Sequence, residues 1–402
     1  MAINILHFLK NFFILIVFCI ILYLIVVIDY KQNNSKNINY YTNGVKNNEI
    51  TTNNIYYCGS YKLNNPLNKA ILHYKLNKID TLNNIKLYMP CGFNYLEVEL
   101  NKIRFAPNKD KYDLKNCVIL GISLCDKLCS KNELWNTINK SYGIDKSKTI
   151  IPRTYLINDT NDIYLLKDNS NYMTNSNDNN KSIYILKNNR QGKQGLYLTN
   201  NINKIITDNE KLKTYKIIQH YITNPYLINK RKLNIRMYVI IINKLSNNPE
   251  WYIYEEGKCI YTNKDYTLES LNNINILDKE QHFTSLNLDT DYIYNSINNP
   301  ETLNDLKHHL GIINYKLLIH KIKYKLNLIK LAYNAEKILN NKGKLKNNIC
   351  MQYFGIDVIL DNDLEPYILE FNKGPEMNYK TKKDKILKTN FMLEFIKIAL
   401  LE

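Results

Sequence analysis

Two hydrophobic patterns follow one another along the chain. Residues Phe12 to Ile28 form an unbroken apolar run, FFILIVFCIILYLIVVI. Its length is at the lower limit for a membrane-spanning helix, and no small-x-small cleavage site follows it. The run predicts a retained single-pass anchor within residues 1–29, then a polar, Asn-rich linker over residues 30–55. Flanking lysines favour the C-terminal side (Lys31, Lys36 and Lys46 against Lys10), which orients the remainder towards the cytosol. From residue 56 onwards the pattern is that of a folded α/β protein. Short apolar runs predict strands at Tyr95–Leu100, Cys117–Ile122 and Ile150–Ile157, and three more between residues 182 and 240. Ser130 is a candidate N-cap for a helix opening at Lys131. Residues 169–181 are of low complexity and predict a mobile loop. Tyr315, Leu318, Ile322, Leu326, Ile329 and Tyr333 recur at helical spacing within a helix over 313–340.

The segment from Cys350 to Pro375 reads as a hairpin, with two apolar runs around a polar turn. If Asn362 and Asp363 form a two-residue loop, Leu364 pairs with Asp361, Ile368 with Asp357, and Gly355 with Glu370. Side chains alternate between faces, so Asp357, Glu370 and Asn372 share one face. Phe354, Ile356, Val358, Leu369 and Phe371 take the other. Three hard oxygen donors on one face suit Mg²⁺, which borrows its remaining ligands from phosphate and water. An ordinary amphipathic hairpin with solvated acids has the same pattern.

Two other stretches carry candidate phosphate chemistry. The strand Ser182–Lys187 ends in a lysine and runs into a loop containing Gly192, Lys193 and Gly195. Glycines let backbone N–H groups approach phosphate oxygens, and Lys187 adds a point charge; a plain hairpin with a basic turn reads the same way. Further on, Lys232, Asn234 and Arg236 occupy alternate positions at the start of a strand. They share a face that can meet phosphate or a developing oxyanion, or is simply a solvated strand edge.

Composition adjusts this picture in three places. The 402 residues, 45% hydrophobic, can build two or three packed units. The eight cysteines are scattered, and Cys125-x₃-Cys129 has no second pair at zinc spacing, so reduced thiols are expected. The net charge of +17 favours acidic partners. Yet the lysines accompany abundant Asn and Ile and only Arg104, Arg153, Arg190, Arg231 and Arg236, which points to an AT-rich coding sequence as one source of the excess. No interleaved basic and aromatic motif is present, so nucleic acid binding is not expected.

The order of these motifs resembles the tubulin-tyrosine ligase-like family of ATP-grasp ligases. The residues that carry the resemblance are Lys187 to Gly195, Gln219-His-Tyr-Ile222, Lys232-Leu-Asn-Ile-Arg236, Phe354-Gly-Ile-Asp357 and Glu370-Phe-Asn372-Lys-Gly-Pro. Lys131-Asn-Glu-Leu-Trp and Ile151-Pro-Arg-Thr-Tyr resemble the family's entry to its core, so the likeness covers roughly residues 120–385. The composition is similar to that of large DNA viruses and AT-rich protists. The resemblance implies an ATP-grasp fold, α/β with largely antiparallel sheets. Its parts would be an N-terminal α/β domain (56–150), a central subdomain with the phosphate loop (151–215) and a C-terminal subdomain with the Mg-binding hairpin (216–402).

For function, the resemblance implies ATP and Mg²⁺ as cofactors and ATP-dependent amide formation. A free amino acid would join a protein carboxylate, with the acidic tubulin tail the first candidate. Lys187 and the Gly192, Lys193 and Gly195 loop would meet the phosphates, joined by Lys131 and Lys232. Gln219, His220, Tyr221 and Ile222 would form the hinge against adenine. Asp357, Glu370 and Asn372 would hold Mg²⁺, and Arg236, with Asn234 beside it, would serve the reacting carbonyl. The sequence departs from the family pattern on the acceptor side. Asn234 stands where an Asp is usual, Ile260 where an Arg is usual, His220 at the hinge Lys, and His282-Phe-Thr284-Ser285 in place of His-x-Thr-Asn. A catalytically impaired, nucleotide-binding adaptor, tethered to the membrane and binding tubulin, microtubules or another acidic partner, is the second reading, and a ligase for a small molecule or non-tubulin peptide the third.

Overall fold

Polar and apolar side chains alternate over the first half of the strand from Arg231 to Asn243 and give way to apolar ones on both faces, and that pattern organises the molecule. Leu233, Ile235, Met237, Val239 and Ile241 are buried on one face. The opposite face is polar at its start (Lys232, Asn234, Arg236) and apolar thereafter (Tyr238, Ile240, Ile242). One strand therefore supplies both a site and a core.

The computed structural model describes residues 54–57, 65–79, 85–92, 98–99, 117–175, 182–189, 195–244, 248–269, 278–284, 288–295, 299–340 and 349–402. The strands are β1 (Asn54–Tyr57), β2 (Asn77–Ile79), β3 (Leu87–Met89), β4 (Val118–Ile119), β5 (Thr154–Leu156), β6 (Tyr184–Lys187), β7 (Leu196–Thr199), β8 (Ile217–His220), β9 (Leu227–Ile228), β10 (Arg231–Asn243), β11 (Glu250–Tyr261), β12 (Ile349–Leu360) and β13 (Pro366–Asn372). The helices used below are α1 (Asn65–His73), α2 (Lys131–Ser147), α3 (Thr160–Asn175), α4 (Leu303–Leu310), α5 (Ile312–Asn340) and α6 (Lys382–Leu401).

A large sheet runs in the order β11-β10-β12-β4-β3-β1-β2, with β13 on β12 and β9 on β10. Its β9 to β13 part is antiparallel, whereas β1 to β4 join in parallel. The fold is α/β and its sheets are largely antiparallel, as expected: the large sheet is mixed through its short parallel strands, and a smaller sheet, ordered β5-β8-β6-β7, is wholly antiparallel. Helix α5 covers one face of the large sheet. Its Leu318, Ile322, Leu326, Ile329 and Tyr333 are buried as their spacing predicts, while Tyr315 is only half-buried. Tyr333 meets Trp251 edge-on at 6.1 Å, and Trp251 meets Phe371 at 6.1 Å. Helix α6 covers the apolar end of the other face. Its Phe391 stacks on Tyr238 at 4.5 Å, and Phe395 meets Tyr353 at 4.9 Å. Thr381 caps α6 by accepting from the Asp384 N–H, and a Thr302/Asp305 capping box opens α4.

Several sequence expectations are revised. Val98 and Glu99, expected in a strand, are helical; the Glu99 carboxylate accepts from the Cys91 N–H at 3.0 Å. The expected loop at 169–181 is helical as far as Asn175, within α3. Cys91 is disulfide-bonded, contrary to the all-thiol reading, while Cys117, Cys125, Cys129, Cys259 and Cys350 are free. The apolar run 12–28, nearly all of the 30–55 linker, Gly192 and Lys193 lie outside the described residues. Among the described residues no helix is long and apolar enough to cross a membrane.

Candidate active site

Three neighbouring strands set one row of charged side chains across the large sheet. Arg236 on β10 lies opposite Asp357 on β12, and Asp357 lies opposite Glu370 on β13. Asn372 follows on the same face, opposite Gly355. The predicted pairing of Asp357 with Ile368 is corrected by two residues. The turn is longer than two residues, with Leu364 in the left-handed region at φ 56° and the Asp361 N–H bonded to the Glu365 carbonyl. A bulge then interrupts the ladder between Asp357 and Val358, leaving Leu369 unpaired and only half-buried instead of on the apolar face. Each change shifts the register by one. Together they restore the parity, so Asp357, Glu370 and Asn372 still share a face.

Arg236 grips Asp357 through two parallel hydrogen bonds, Nη2 to Oδ2 at 2.9 Å and Nε to Oδ1. This is the bidentate geometry that fixes a guanidinium in one orientation. Glu370 is held at its other end, where Lys131 Nζ lies 3.2 Å away and Asn372 Nδ2 donates at 3.2 Å. Gly355 makes room for this row. A Cβ there would lie 2.8 Å from Pro375 Cβ and 3.2 Å from Arg236 Cδ.

The small sheet contributes from the front. Lys187, at the end of β6, is buried and donates to Gln219 Oε1 at 2.7 Å. Gln219 in turn donates to Thr154 Oγ1 at 2.8 Å and to the Pro152 carbonyl. Gln219 therefore positions Lys187 with its side chain. The N–H groups of His220 and Tyr221 bond to the Arg153 and Ile183 carbonyls at 2.8 and 2.9 Å. The His220 ring packs between Tyr155 and Tyr184, and Ile222 is half-buried. Gly195 adopts φ 85°, and a Cβ there would collide with Asn188. Lys131 is the first residue of α2. Ser130 precedes it without a side-chain cap; instead Asn189, beyond β6, accepts from the Lys131 N–H at 3.2 Å. That bond ties the start of α2 to the small sheet and turns the helix's positive end towards the charged row.

Lys232 is buried and donates to Tyr221 Oη at 2.9 Å and to the His282 carbonyl at 3.1 Å. The resemblance named Tyr221 and Lys232 separately as nucleotide contacts; that they meet one another and His282 is visible only in the fold. Asn234 donates to Thr284 Oγ1 at 3.1 Å, while its buried Oδ1 has no partner among the described residues. Ile260 is its direct neighbour on β11.

The electrostatics follow from burial with unequal pairing. Burial drives Lys187 down to about 8, with Glu370 and Asp357 opposing and Lys131 assisting. Burial, then the charge of Lys187, drives Lys232 down to about 7. Burial pushes His282 down to about 4, so it stays neutral beside Lys232. Burial raises Glu370, but Lys131, Lys187 and Arg236 outweigh it and hold the carboxyl at about 2. Burial also raises Asp357; Arg236 opposes that, and Glu370 adds to it. Lys187 of the small sheet and Lys131 of α2 thus act together on Glu370 of the large sheet.

Asp357, Glu370 and Asn372 together offer carboxylate and carboxamide oxygens only, and Glu370 is held ionised. This hard, anionic donor set fits Mg²⁺. Among the described residues no group of three or more His, Cys, Asp or Glu is placed to hold a metal ion, so such a site depends on the Asn372 carboxamide as third donor.

The chain is similar to several known proteins. A probable beta-tubulin polyglutamylase from Tetrahymena thermophila is 26% identical over 220 residues, which are 51% of this chain and 18% of that protein. A probable tubulin polyglutamylase, TTLL9, from Rattus norvegicus is 24% identical over 190 residues, 46% of this chain and 39% of the relative. A tubulin glycylase, 3D, from Tetrahymena thermophila is 26% identical over 218 residues, 51% of this chain and 20% of the relative. The matched region thus spans well under half the length of these relatives. The profile of the tubulin-tyrosine ligase family matches residues 120–401, which include every strand of the charged row and of the small sheet facing it, and the chain belongs to that family.

Proposed function

We propose that the chain is an ATP- and Mg²⁺-dependent carboxylate–amine ligase that adds an amino acid to an acidic protein, with the tubulin tail the first candidate. The observation that carries this reading is the balance of charge in the site. Lys131, Lys187, Lys232 and Arg236 converge around two carboxylates, and two of these lysines are buried. Buried cations in excess of local anions call for a polyanionic ligand, and a nucleotide triphosphate is one. The names of the relatives favour amino-acid addition to tubulin over other amide formation.

In the proposed reaction an acceptor carboxylate oxygen bonds to the γ-phosphorus as its bond to the β-phosphate bridge breaks, and ADP leaves. The amine of an amino acid then attacks the acyl carbon. The carbon–oxygen bond to phosphate breaks, phosphate leaves, and the amine proton passes to water. Lys187, braced by Gln219, and Lys232, braced by Tyr221, would neutralise the phosphates. Arg236, fixed by Asp357, would face the charge that develops on the acyl oxygen. Mg²⁺, held by Asp357, Glu370 and Asn372, would supply Lewis-acid neutralisation of phosphate oxygens.

The test is ATP-dependent incorporation of labelled glutamate, glycine and tyrosine into tubulin, with Glu370→Ala as control. Incorporation by the native chain and background counts for the variant are expected. Mg·ATP binding with no incorporation into tubulin or cell extract would sink the ligase reading. It would favour the second one, a nucleotide-binding adaptor without turnover. That alternative is motivated by the adjacent Asn234 and Ile260, an amide and an alkyl group in the row beside Arg236.

A further inference from the structure

We infer that the outer face of α5 is a docking surface for an acidic amphipathic helix. The helix is apolar on two faces. Leu318, Ile322, Ile329 and Tyr333 are buried against the sheet. On the opposite face Leu317, Tyr324 and Leu331 recur every seven residues, and they are 55%, 49% and 47% exposed. Ile313, 72% exposed, extends the same stripe by one turn, and exposed His320 sits between Leu317 and Tyr324. A seven-residue repeat of apolar side chains, with the polar His320 and Asn327 at the intervening positions, is one half of a coiled-coil seam, where each apolar side chain seats among residues of a partner helix. A stripe of this kind left open to water marks an interaction surface. It lies across the sheet from the charged row, because α5 packs on the Trp251 and Phe371 face.

Charge selects the occupant. Lys316 is exposed and Lys321 and Lys323 are half-buried on α5, whereas its Lys325, Lys330 and single acid, Glu336, are buried. Lys316 and Lys323 each precede a seam residue, at the position that faces a partner's flank in such a pairing. Lys146 of α2 joins them, with its Nζ 3.2 Å from Tyr324 Oη. Lys321 and Lys323 meet Glu365 at 2.8 Å and Glu255 at 3.4 Å, pairs on partly exposed side chains that can exchange for a partner's acids at small cost. A second copy of the chain would set lysine against lysine along the seam. A helix with leucines at its seam and glutamates on its flanks would match both the apolar stripe and the charge.

The test titrates the full chain with a labelled synthetic helix of about four heptads, Leu at the seam and Glu on the flanks. Binding is expected, weakening as salt rises. It should weaken by about tenfold or more for Leu317→Asp and for Leu331→Asp, with circular dichroism and ATP binding unchanged. Absence of binding, equal binding of a Lys-flanked peptide, or no effect of either variant overturns the proposal. So does sedimentation showing a dimer of the chain that Leu331→Asp dissolves, which would assign the seam to a second copy.

Discussion

Lys232 hydrogen-bonds to a hydroxyl and a carbonyl rather than to a carboxylate, and this makes it the residue most sensitive to a bound anion. Its folded pKa is about 7 against an ordinary 10.5. Below pH 7 it is charged in both folded and unfolded chains, and the cost of burying that charge is fully present. Between pH 7 and 10.5 the unfolded chain binds the extra proton, so stability rises with pH across that window. Lys232→Met should therefore stabilise the protein most at or below neutral pH, with the gain shrinking towards pH 10.5, as thermal melts at several pH values would record. A phosphate ligand reverses the preference by favouring the charged amine. Nucleotide binding near pH 8 should take up protons, and affinity should fall as pH rises past 7, by at most about tenfold per unit for each lysine involved. Calorimetry in buffers of different ionisation enthalpy reads the uptake directly. Uptake that persists unchanged in Lys232→Met would move its source to Lys187, at about 8. None of these shifts is legible in the sequence. The alternation that placed Lys232 on the face of Arg236 is local, whereas its partners Tyr221 and His282 come from elsewhere in the chain.

At the scale of elements, the hairpin of β12 and β13 shows what a sequence pattern can and cannot hold. Which side chains share a face depends only on parity, so Asp357, Glu370 and Asn372 were legible although the turn and the bulge at Leu369 were not. Those two features depend on backbone geometry around Leu364 and on packing, neither of which the apolar pattern encodes. The helix over 313–340 was legible for the same reason, because its buried stripe is periodic; its second, exposed stripe has that periodicity too but shows itself only once the sheet is in place. Val98 and Glu99 misled because alternation over six residues is a weak signal. Gly355 carries the element-scale prediction. Gly355→Ala places a methyl 2.8 Å from Pro375 and 3.2 Å from Arg236, both anchored groups. The substitution should destabilise by about 1–3 kcal/mol and, under the proposed role of Arg236 at the acyl group, lower ligase activity more than nucleotide affinity. Denaturant melts and parallel kinetic and binding titrations separate the two effects; unaltered activity at reduced stability would exclude a positioning role for Gly355.

At the scale of the whole chain, the proposed ligase activity requires that a strongly basic unit be brought to an acceptor. The family match covers residues 120–401, and among the described residues no helix is long and apolar enough to cross a membrane; the apolar run at residues 12–28 lies outside them. We propose that this run spans a membrane and holds the ligase unit on the cytosolic side, where acidic tubulin tails are within reach. Placing a lysine at the centre of such a span costs about 2.5–3.5 kcal/mol each by insertion scales, so two suffice to abolish it. The full chain should sediment with membranes and resist carbonate extraction. Ile20→Lys combined with Leu22→Lys should move it to the soluble fraction, with nucleotide affinity unchanged because neither residue belongs to the charged row. If the native chain washes off with carbonate or salt alone, the tether is electrostatic, carried by the excess of Lys over acid, and the apolar run has another use. Protease protection of the C-terminal unit in sealed vesicles fixes the side: cleavage from the cytosolic face supports the orientation read from Lys31, Lys36 and Lys46, and protection reverses it.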